Sequence, residues 1–130
     1  MSIETTRAVM TKYFESQHTD TSMMASDVVF TVMATGQSHV GHEGVQQMLN
    51  YFYHVAFDAS AETKVAIFGE TNAVIEGEFV GKHVGEFAGV PPTGRQVRVP
   101  LCVVYDLKDA QIFRGRVYFE TPILMQQLTA

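Results

Sequence analysis

The sequence contains no tryptophan, one cysteine, and only nine lysines and arginines against fourteen acidic residues. The single cysteine, Cys102, has no partner within the chain for a disulfide, which is typical of proteins in a reducing compartment. The formal charge of −5 argues against a nucleic-acid partner, because binding to a phosphate backbone requires clustered lysine and arginine side chains. We therefore expect a protein that does not bind nucleic acid.

Long apolar runs are also missing. No stretch comes near the roughly 20 apolar residues that a membrane-spanning helix needs. Charged residues interrupt the N-terminal segment at Glu4, Arg7 and Lys12, so that segment lacks the apolar core of a signal peptide. These absences predict a cytoplasmic protein without a membrane partner. With 46% hydrophobic and 18% charged residues, the chain has the composition of one globular domain over residues 1–130.

Two strand-like segments around a turn-rich stretch organise the sequence. Apolar side chains alternate with other residues over the second segment, at Val97, Val99, Leu101, Val103 and Tyr105. This period of two predicts a strand with one buried face. The first segment, residues 74–83, is more mixed, as expected where a sheet bends around an enclosed space. The glycines and prolines between the two segments cannot continue a ladder, so we expect an antiparallel pair joined by a long loop.

The remaining segments predict helices on one face of a mostly antiparallel sheet. In chain order, the predicted elements are a helix over residues 3–17, a helical piece over 23–26, a strand over 28–33, a loop over 34–41, a helix over 43–57, a strand over 63–68, the two strands above, a strand over 112–120 and a helix over 123–128. On the last strand, Phe113, Val117 and Phe119 are expected to face the helices, and Ile112 the opposite side.

Three segments resemble one protein family. They are VGKHVGEFAGVPPTGRQVRVP at residues 80–100, QIFRGRVYFE at 111–120 and LMQQL at 124–128, with a weaker match, GHEGV, at 41–45. These segments are similar to the SnoaL-like polyketide cyclases of the nuclear transport factor 2-like superfamily. The resemblance implies an α+β fold in which a curved, mostly antiparallel sheet wraps around helices as a cone-shaped barrel. It also implies a pocket inside the cone and a homodimer.

Two positions depart from what the resemblance implies. Cyclases of this family carry a catalytic Asp at the place of Val117 and a partner His at the place of Val103, and valine cannot transfer a proton. The general base of the related ketosteroid isomerases falls near Val32 or Met33, at the end of the first strand, and this sequence has no carboxylate between Asp27 and Glu43. The resemblance therefore carries over the fold and not the known acid and base groups.

Two functions stay open on the sequence alone. The first, favoured by the two valines, is binding of a hydrophobic small molecule, polyketide-like or steroid-like, in an apolar cone without a cofactor. The predicted ligand contacts lie on inward positions of the helices and strands, and they are Phe14, Phe30, Phe52, Tyr53, Phe79, Val103 and Val117.

The second function is a cofactor-independent cyclase, isomerase or hydratase that uses His83 or His39 with a tyrosine such as Tyr13. His83 belongs to the matched motif and lies by parity on the inward side of its strand, so we expect it near the lip of the pocket. A histidine there could act as a general acid or base near neutral pH. The alternative is a histidine that hydrogen-bonds the following loop and shapes its turn.

A metal site is one interpretation of His39, His42 and Glu43, where two imidazoles and a carboxylate lie close in the sequence. Their spacing is not that of two histidines on one helix face, and Gly41 implies a turn that separates the rings. We therefore predict no metal, and we expect His39 to reach the pocket mouth from its loop.

Polar side chains on the far side of the last two strands form a second candidate surface. Arg98, Arg114, Arg116 and Tyr118 lie opposite the apolar rows, with Cys102 near them. Arginine and tyrosine are enriched at interfaces between proteins. We predict that this convex face joins two copies of the chain in a homodimer. The alternative is an outer sheet face that is only solvated.

Overall fold

The computed structural model describes residues 1–129. These residues form three α-helices and six strands, in the order α1 (Ile3–Glu15), β1 (Met24–Val32), β2 (Gln37–Val40), α2 (Gly41–Asn50), β3 (Phe57–Phe68), β4 (Asn72–His83), β5 (Gln96–Lys108), β6 (Gln111–Phe119) and α3 (Thr121–Thr129). A π-helical turn, Tyr51–Val55, extends α2 toward β3. Within residues 1–129, none of the helices is long and apolar enough to cross a membrane.

The six strands form one sheet in the order β2-β1-β6-β5-β4-β3. Neighbouring strands pair antiparallel except β1 and β6, which are parallel. Helices α1 and α2 bury apolar side chains in the core that the sheet encloses, among them Met10, Tyr13, Val45 and Leu49. The predicted α+β class, with a curved and mostly antiparallel sheet around helices, is confirmed.

The alternating row on β5 faces inward, as predicted. Val97, Val99, Val103 and Tyr105 are buried. The intervening residue Arg98 is exposed. The orientation follows from the sequence because shifting the strand by one residue would turn its whole apolar row to solvent.

The predicted orientation of β6 is wrong at its first residues. Ile112 is fully buried, whereas Phe113 is half-buried. Asp106 of β5 lies opposite Arg114, and the next β5 residue, Leu107, lies opposite Ile112, so Phe113 is one extra residue on β6. Such a bulge reverses the alternation of the side chains, which a strict period of two does not anticipate.

Two predictions for residues 23–41 are also wrong. The sequence predicts a helical piece over 23–26, but β1 begins at Met24, which pairs with Ile112 of β6. Pairing with a distant strand here overrides the local helix preference of Met-Met-Ala. The predicted loop contains β2, an edge strand that pairs with β1 over Val29–Val32. The sequence does not predict this strand because its side chains are mostly polar and show no apolar alternation. An edge strand at the rim of the sheet does not need an apolar face.

The second long helix ends earlier than predicted, and the next strand begins earlier. The π-helical turn replaces the last turns of the helix expected over 43–57, and β3 begins at Phe57 rather than at residue 63. Residues 58–62 are Asp, Ala, Ser, Ala and Glu, which are poor strand formers by intrinsic preference. They form a strand because β4 pairs with them along its whole length.

The C-terminal helix completes the sheet where β6 has ended. The side chain of Gln127 acts like a short strand: its Nε2 donates to the Arg98 carbonyl at 2.8 Å, and its Oε1 accepts from the Arg98 N–H at 2.9 Å. Leu124 and Leu128 of the same helix are buried. The LMQQL segment therefore closes one end of the core.

The arginines of the convex face are paired with carboxylates of the same chain. Arg98 contacts Glu62 at 3.2 Å and Glu78 at 2.8 Å, and Arg116 contacts Asp106 at 2.6 Å. Tyr118 is 45% exposed. The homodimer through this face stays a prediction.

Candidate functional site

A cavity lies between the inner face of the sheet and the helices, on the side of β6. We call it the β6 cavity. The predicted residues Tyr13, Phe30, Phe52, Tyr53, Phe79, Val103 and Val117 all line it, together with His18, Val32, Met48, Leu49, Leu101, Tyr105 and Phe119. Its volume is about 50 Å³. That is room for a few water molecules, so the cone is largely filled by its own side chains.

A second cavity, the β3 cavity, lies over β3 and β4 and has a volume of about 60 Å³. Its own lining includes Ala61, Thr63, Ile75 and Gly77, and also Glu62 and Glu78, whose carboxylates are paired with Arg98. Phe14, the remaining predicted ligand contact, lines this cavity and not the other. The predicted contacts are thus divided over two neighbouring cavities, and their role toward a ligand stays a prediction.

The π-helical turn and the loop after β4 hold the aromatic wall in place. The N–H groups of Val84 and Gly85 donate to the carbonyl of Ala56 at 3.0 and 2.9 Å, at the end of the turn. Phe87, from the same loop, packs 5.7 Å from the ring of Phe52 and 5.4 Å from Phe57. The glycine- and proline-rich segment therefore supports the helix end that carries Phe52 over the cavity.

His18 is the site residue that the sequence patterns do not single out. It follows α1 in a turn where Gln17 and His18 both have positive φ, 52° and 65°. Its ring stacks on Tyr53 with centroids 3.9 Å apart and planes 8° apart, and it meets Tyr13 edge-on at 5.6 Å. No periodic pattern includes such a residue, so only its histidine chemistry could have drawn attention to it.

The titratable groups around the β6 cavity are uncharged at neutral pH. Burial lowers the pKa of His18 to about 4, and the nearby His54 lowers it further. Burial raises the pKa of the Tyr13, Tyr53 and Tyr105 hydroxyls above their ordinary range. A charged ligand would lose its hydration here without gaining an opposite charge in return.

Tyr13 presents a free hydroxyl to this interior. Its side chain is fully buried, and among residues 1–129 its hydroxyl has no hydrogen-bond partner. The neighbouring Tyr105 also raises the Tyr13 pKa, although the two hydroxyls do not form a hydrogen bond of good geometry. A buried phenol without a partner can donate a hydrogen bond to a ligand oxygen.

His83 is fully buried and lies outside the linings of both cavities, so its expected place at the pocket lip is wrong. Its Nδ1 accepts a hydrogen bond from the Thr93 N–H at 3.1 Å, and the Thr93 Oγ1 lies 3.0 Å from the same atom. Its backbone carbonyl accepts from the Gly94 N–H at 3.0 Å. These contacts fit the alternative role, a histidine that shapes the loop.

His39 also lies outside both cavities. It is half-buried on β2, directly opposite Phe30, and burial lowers its pKa. The ring of the nearby His42 contacts the main chain instead, with Nε2 2.8 Å from the carbonyl oxygen of Met24. Over residues 1–129, no group of three or more His, Cys, Asp or Glu side chains is placed to hold a metal ion. Of the three predicted catalytic residues, only Tyr13 lines the β6 cavity.

Comparisons with known proteins agree with this architecture. The profile of the SnoaL-like polyketide cyclase family matches residues 5–128. A structure from Jannaschia sp. CCS1, provisionally named a SnoaL-like polyketide cyclase, has 19% identity and a TM-score of 0.86, covering 98% of this chain and 93% of its own. One from Xanthomonas campestris pv. campestris, provisionally named a polyketide cyclase, has 16% identity and a TM-score of 0.86, covering 97% and 98%.

A more distant structure from Kribbella flavida DSM 17836, provisionally named a ketosteroid isomerase, has 15% identity and a TM-score of 0.69, covering 89% of this chain and 78% of its own. No curated protein matches this chain. At these sequence identities, the similarity to the solved structures shows the fold alone. The family profile, however, covers nearly the whole chain, and on that ground the chain belongs to the SnoaL-like polyketide cyclase family.

Proposed function

We propose that this protein binds a small, neutral, hydrophobic molecule inside its cone, of a cyclic class that includes polyketide-like and steroid-like compounds. The observation that carries the proposal is the wall of the β6 cavity. Aromatic and aliphatic side chains form it, and its polar groups, His18 and the hydroxyls of Tyr13, Tyr53 and Tyr105, carry no charge at neutral pH. Such a site favours ligands that are apolar and uncharged.

The class of ligand follows from two further considerations. Similar structures carry the provisional names polyketide cyclase and ketosteroid isomerase, so cyclic hydrophobic compounds are the first to test. The volume of about 50 Å³ favours the smallest members of that class, because a multi-ring ligand enters only if several side chains move. A ligand oxygen placed toward Tyr13 would give its buried hydroxyl a partner.

The charge preference can be tested with two probes of nearly the same shape, 2-naphthol and 2-naphthoate. At pH 7 we expect 2-naphthol to bind and 2-naphthoate to bind at least about tenfold more weakly, because the carboxylate must shed its hydration in a site without cations. Titration calorimetry measures both dissociation constants. Equal affinities would contradict the proposed neutral site, and absence of any binding would contradict the proposed function.

An enzymatic function is the second candidate, and one observation favours it. Tyr13 and His18 line the same cavity, the first as a buried donor and the second as a neutral imidazole that can accept a proton. If they act together, the protein should accelerate deuterium exchange at the α-carbon of 2-tetralone in D₂O. Tyr13→Phe and His18→Phe should each abolish that acceleration. Unchanged exchange with the wild-type protein would reject the enzyme and leave the binding function standing.

A further inference from the structure

The β6 and β3 cavities meet at a common boundary. Five residues line both of them: His18, Tyr53, Leu101, Val103 and Tyr105. Three of these lie on β5 and form a shared floor on the sheet. The other two, His18 and Tyr53, are the stacked pair on the helical side.

Neither cavity is large enough for a ring-sized ligand. Their volumes are about 50 and 60 Å³. A protein cavity that is known to bind benzene measures about 150 Å³. The two cavities together, with the space that the imidazole of His18 now fills, come close to that size. A cyclic ligand therefore needs both cavities and the place of this ring.

His18 is the boundary residue that can leave most easily. Tyr53 belongs to the π-helical turn and the other three to the central strand β5, whereas His18 lies in the turn after α1. The Gln46 side chain holds its backbone, donating to the His18 carbonyl at 3.2 Å. His18 is half-buried, and its ring stacks on the face of Tyr53 and meets Tyr13 edge-on. A rotation of the side chain would free the ring and leave that backbone bond intact.

We propose that the β6 and β3 cavities are two halves of one ligand site, and that a planar neutral ligand occupies both by taking the place of the His18 ring on Tyr53. This inference rests on the proposed function and deepens it. It makes His18 the residue that determines the size of ligand the cone accepts. The ligand class that fits is a flat ring system, because the surface released on Tyr53 is the flat face now covered by an imidazole.

The test is a titration with 2-naphthol of the wild-type protein and four variants. His18→Ala removes the ring that the ligand must displace, and it should bind at least about tenfold more tightly. His18→Phe keeps a flat ring on Tyr53 and should not gain affinity. Because His18 is only half-buried and lies outside the helices and strands, both variants should fold.

The β3 half of the site is tested independently on the edge strand. Ala61 lies opposite Phe79, so it shares the inner face of the sheet, and it lines the β3 cavity. Ala61→Phe should fill that cavity and weaken 2-naphthol binding at least about tenfold. The neighbouring Ser60 is exposed, as Ala61 is, but it points to the other face, so Ser60→Phe is the matched control and should stay within about twofold of the wild type.

Each outcome separates the inference from the proposed function. If wild type binds 2-naphthol but His18→Ala binds it no more tightly, or Ala61→Phe binds it as well as Ser60→Phe does, the joined site is wrong and the binding function stands. If His18→Ala binds more weakly, His18 is a ligand contact rather than a partition, which also overturns the inference. If neither the wild type nor any variant binds the probe, the proposed function fails and the inference fails with it.

Discussion

Replacing Gly77 with alanine is expected to lower the free energy of unfolding by about 3 kcal/mol. Gly77 lies on the inner face of β4 opposite Thr63, and a methyl group there would collide with the main-chain carbonyl oxygen of Glu62. Strand β3 shifts its register just after Thr63, next to this contact. Main-chain atoms cannot rotate away as a side chain can, so the clash is costly. Urea unfolding measures the loss.

Gly115→Ala is the control for this prediction. A methyl group at Gly115 would lie 2.9 Å from atoms of the Phe30 ring, which is buried but borders the β6 cavity and can shift into it. We expect a loss of about 1 kcal/mol there. Similar losses for both variants would contradict the conclusion that close contact between the β3 and β4 backbones shapes this part of the sheet.

The sequence predicts the structure best where the residues that form a local pattern are also the residues that become buried. The alternation on β5 predicts both the strand and its inward face, and Val103 and Tyr105 are buried on that face as the alternation requires. The same rule fails at Phe113, because the extra residue on β6 is defined only by its pairing with β5. A bulge changes the phase of the alternation on the strand that carries it, but only the pairing with the neighbouring strand shows where the change occurs.

The candidate site was only partly predictable, for a related reason. Its apolar wall follows from inward positions on helices and strands, whereas His18 lies in a turn and reaches the wall through the path of the chain after α1. His83 shows the opposite case. The motif singles out His83, and its odd-numbered position on β4 places it on the inward face. Only the folded loop shows that the Thr93 N–H donates a hydrogen bond to its Nδ1. The cavity volume depends on packing between distant elements, which no pattern in one segment contains.

Val117→Asp is expected to lower the free energy of unfolding by about 3 kcal/mol at pH 7. Val117 lies between Val32 of β1 and Val103 of β5, each directly opposite it in the ladder, and all three line the β6 cavity. A carboxylate at position 117 would lose hydration between the two remaining valines, Val32 and Val103. The resemblance to polyketide cyclases puts their catalytic Asp at this place, so the variant measures what that residue costs in this cavity.

The pH dependence of the stability loss separates the effect of the charge at position 117 from the effect of the changed side-chain shape. Burial raises the pKa of a carboxyl group above its ordinary value of about 3.9, so the folded variant holds its proton to a higher pH than the unfolded chain does. The charge-dependent part of the loss for Val117→Asp should therefore be small below about pH 4, grow as the pH rises from about 4 to the raised pKa, and stay constant above it. Val117→Asn, similar in shape and without charge, should lose about 1 to 2 kcal/mol at every pH. Parallel profiles for the two variants would mean that water reaches residue 117.

A histidine at position 103 should recover part of the loss. Residues 103 and 117 are directly opposed on β5 and β6, so their Cβ atoms lie about 5 Å apart and an imidazole at 103 can donate to a carboxylate at 117. We expect Val103→His combined with Val117→Asp to be more stable than the sum of the two single losses by about 1 kcal/mol or more. A double-mutant cycle at pH 7 measures that coupling. A coupling near zero would show that the side chains introduced at positions 103 and 117 do not interact. Restoring the acid and base of the relatives would then also require substitutions at other residues that line the cavity.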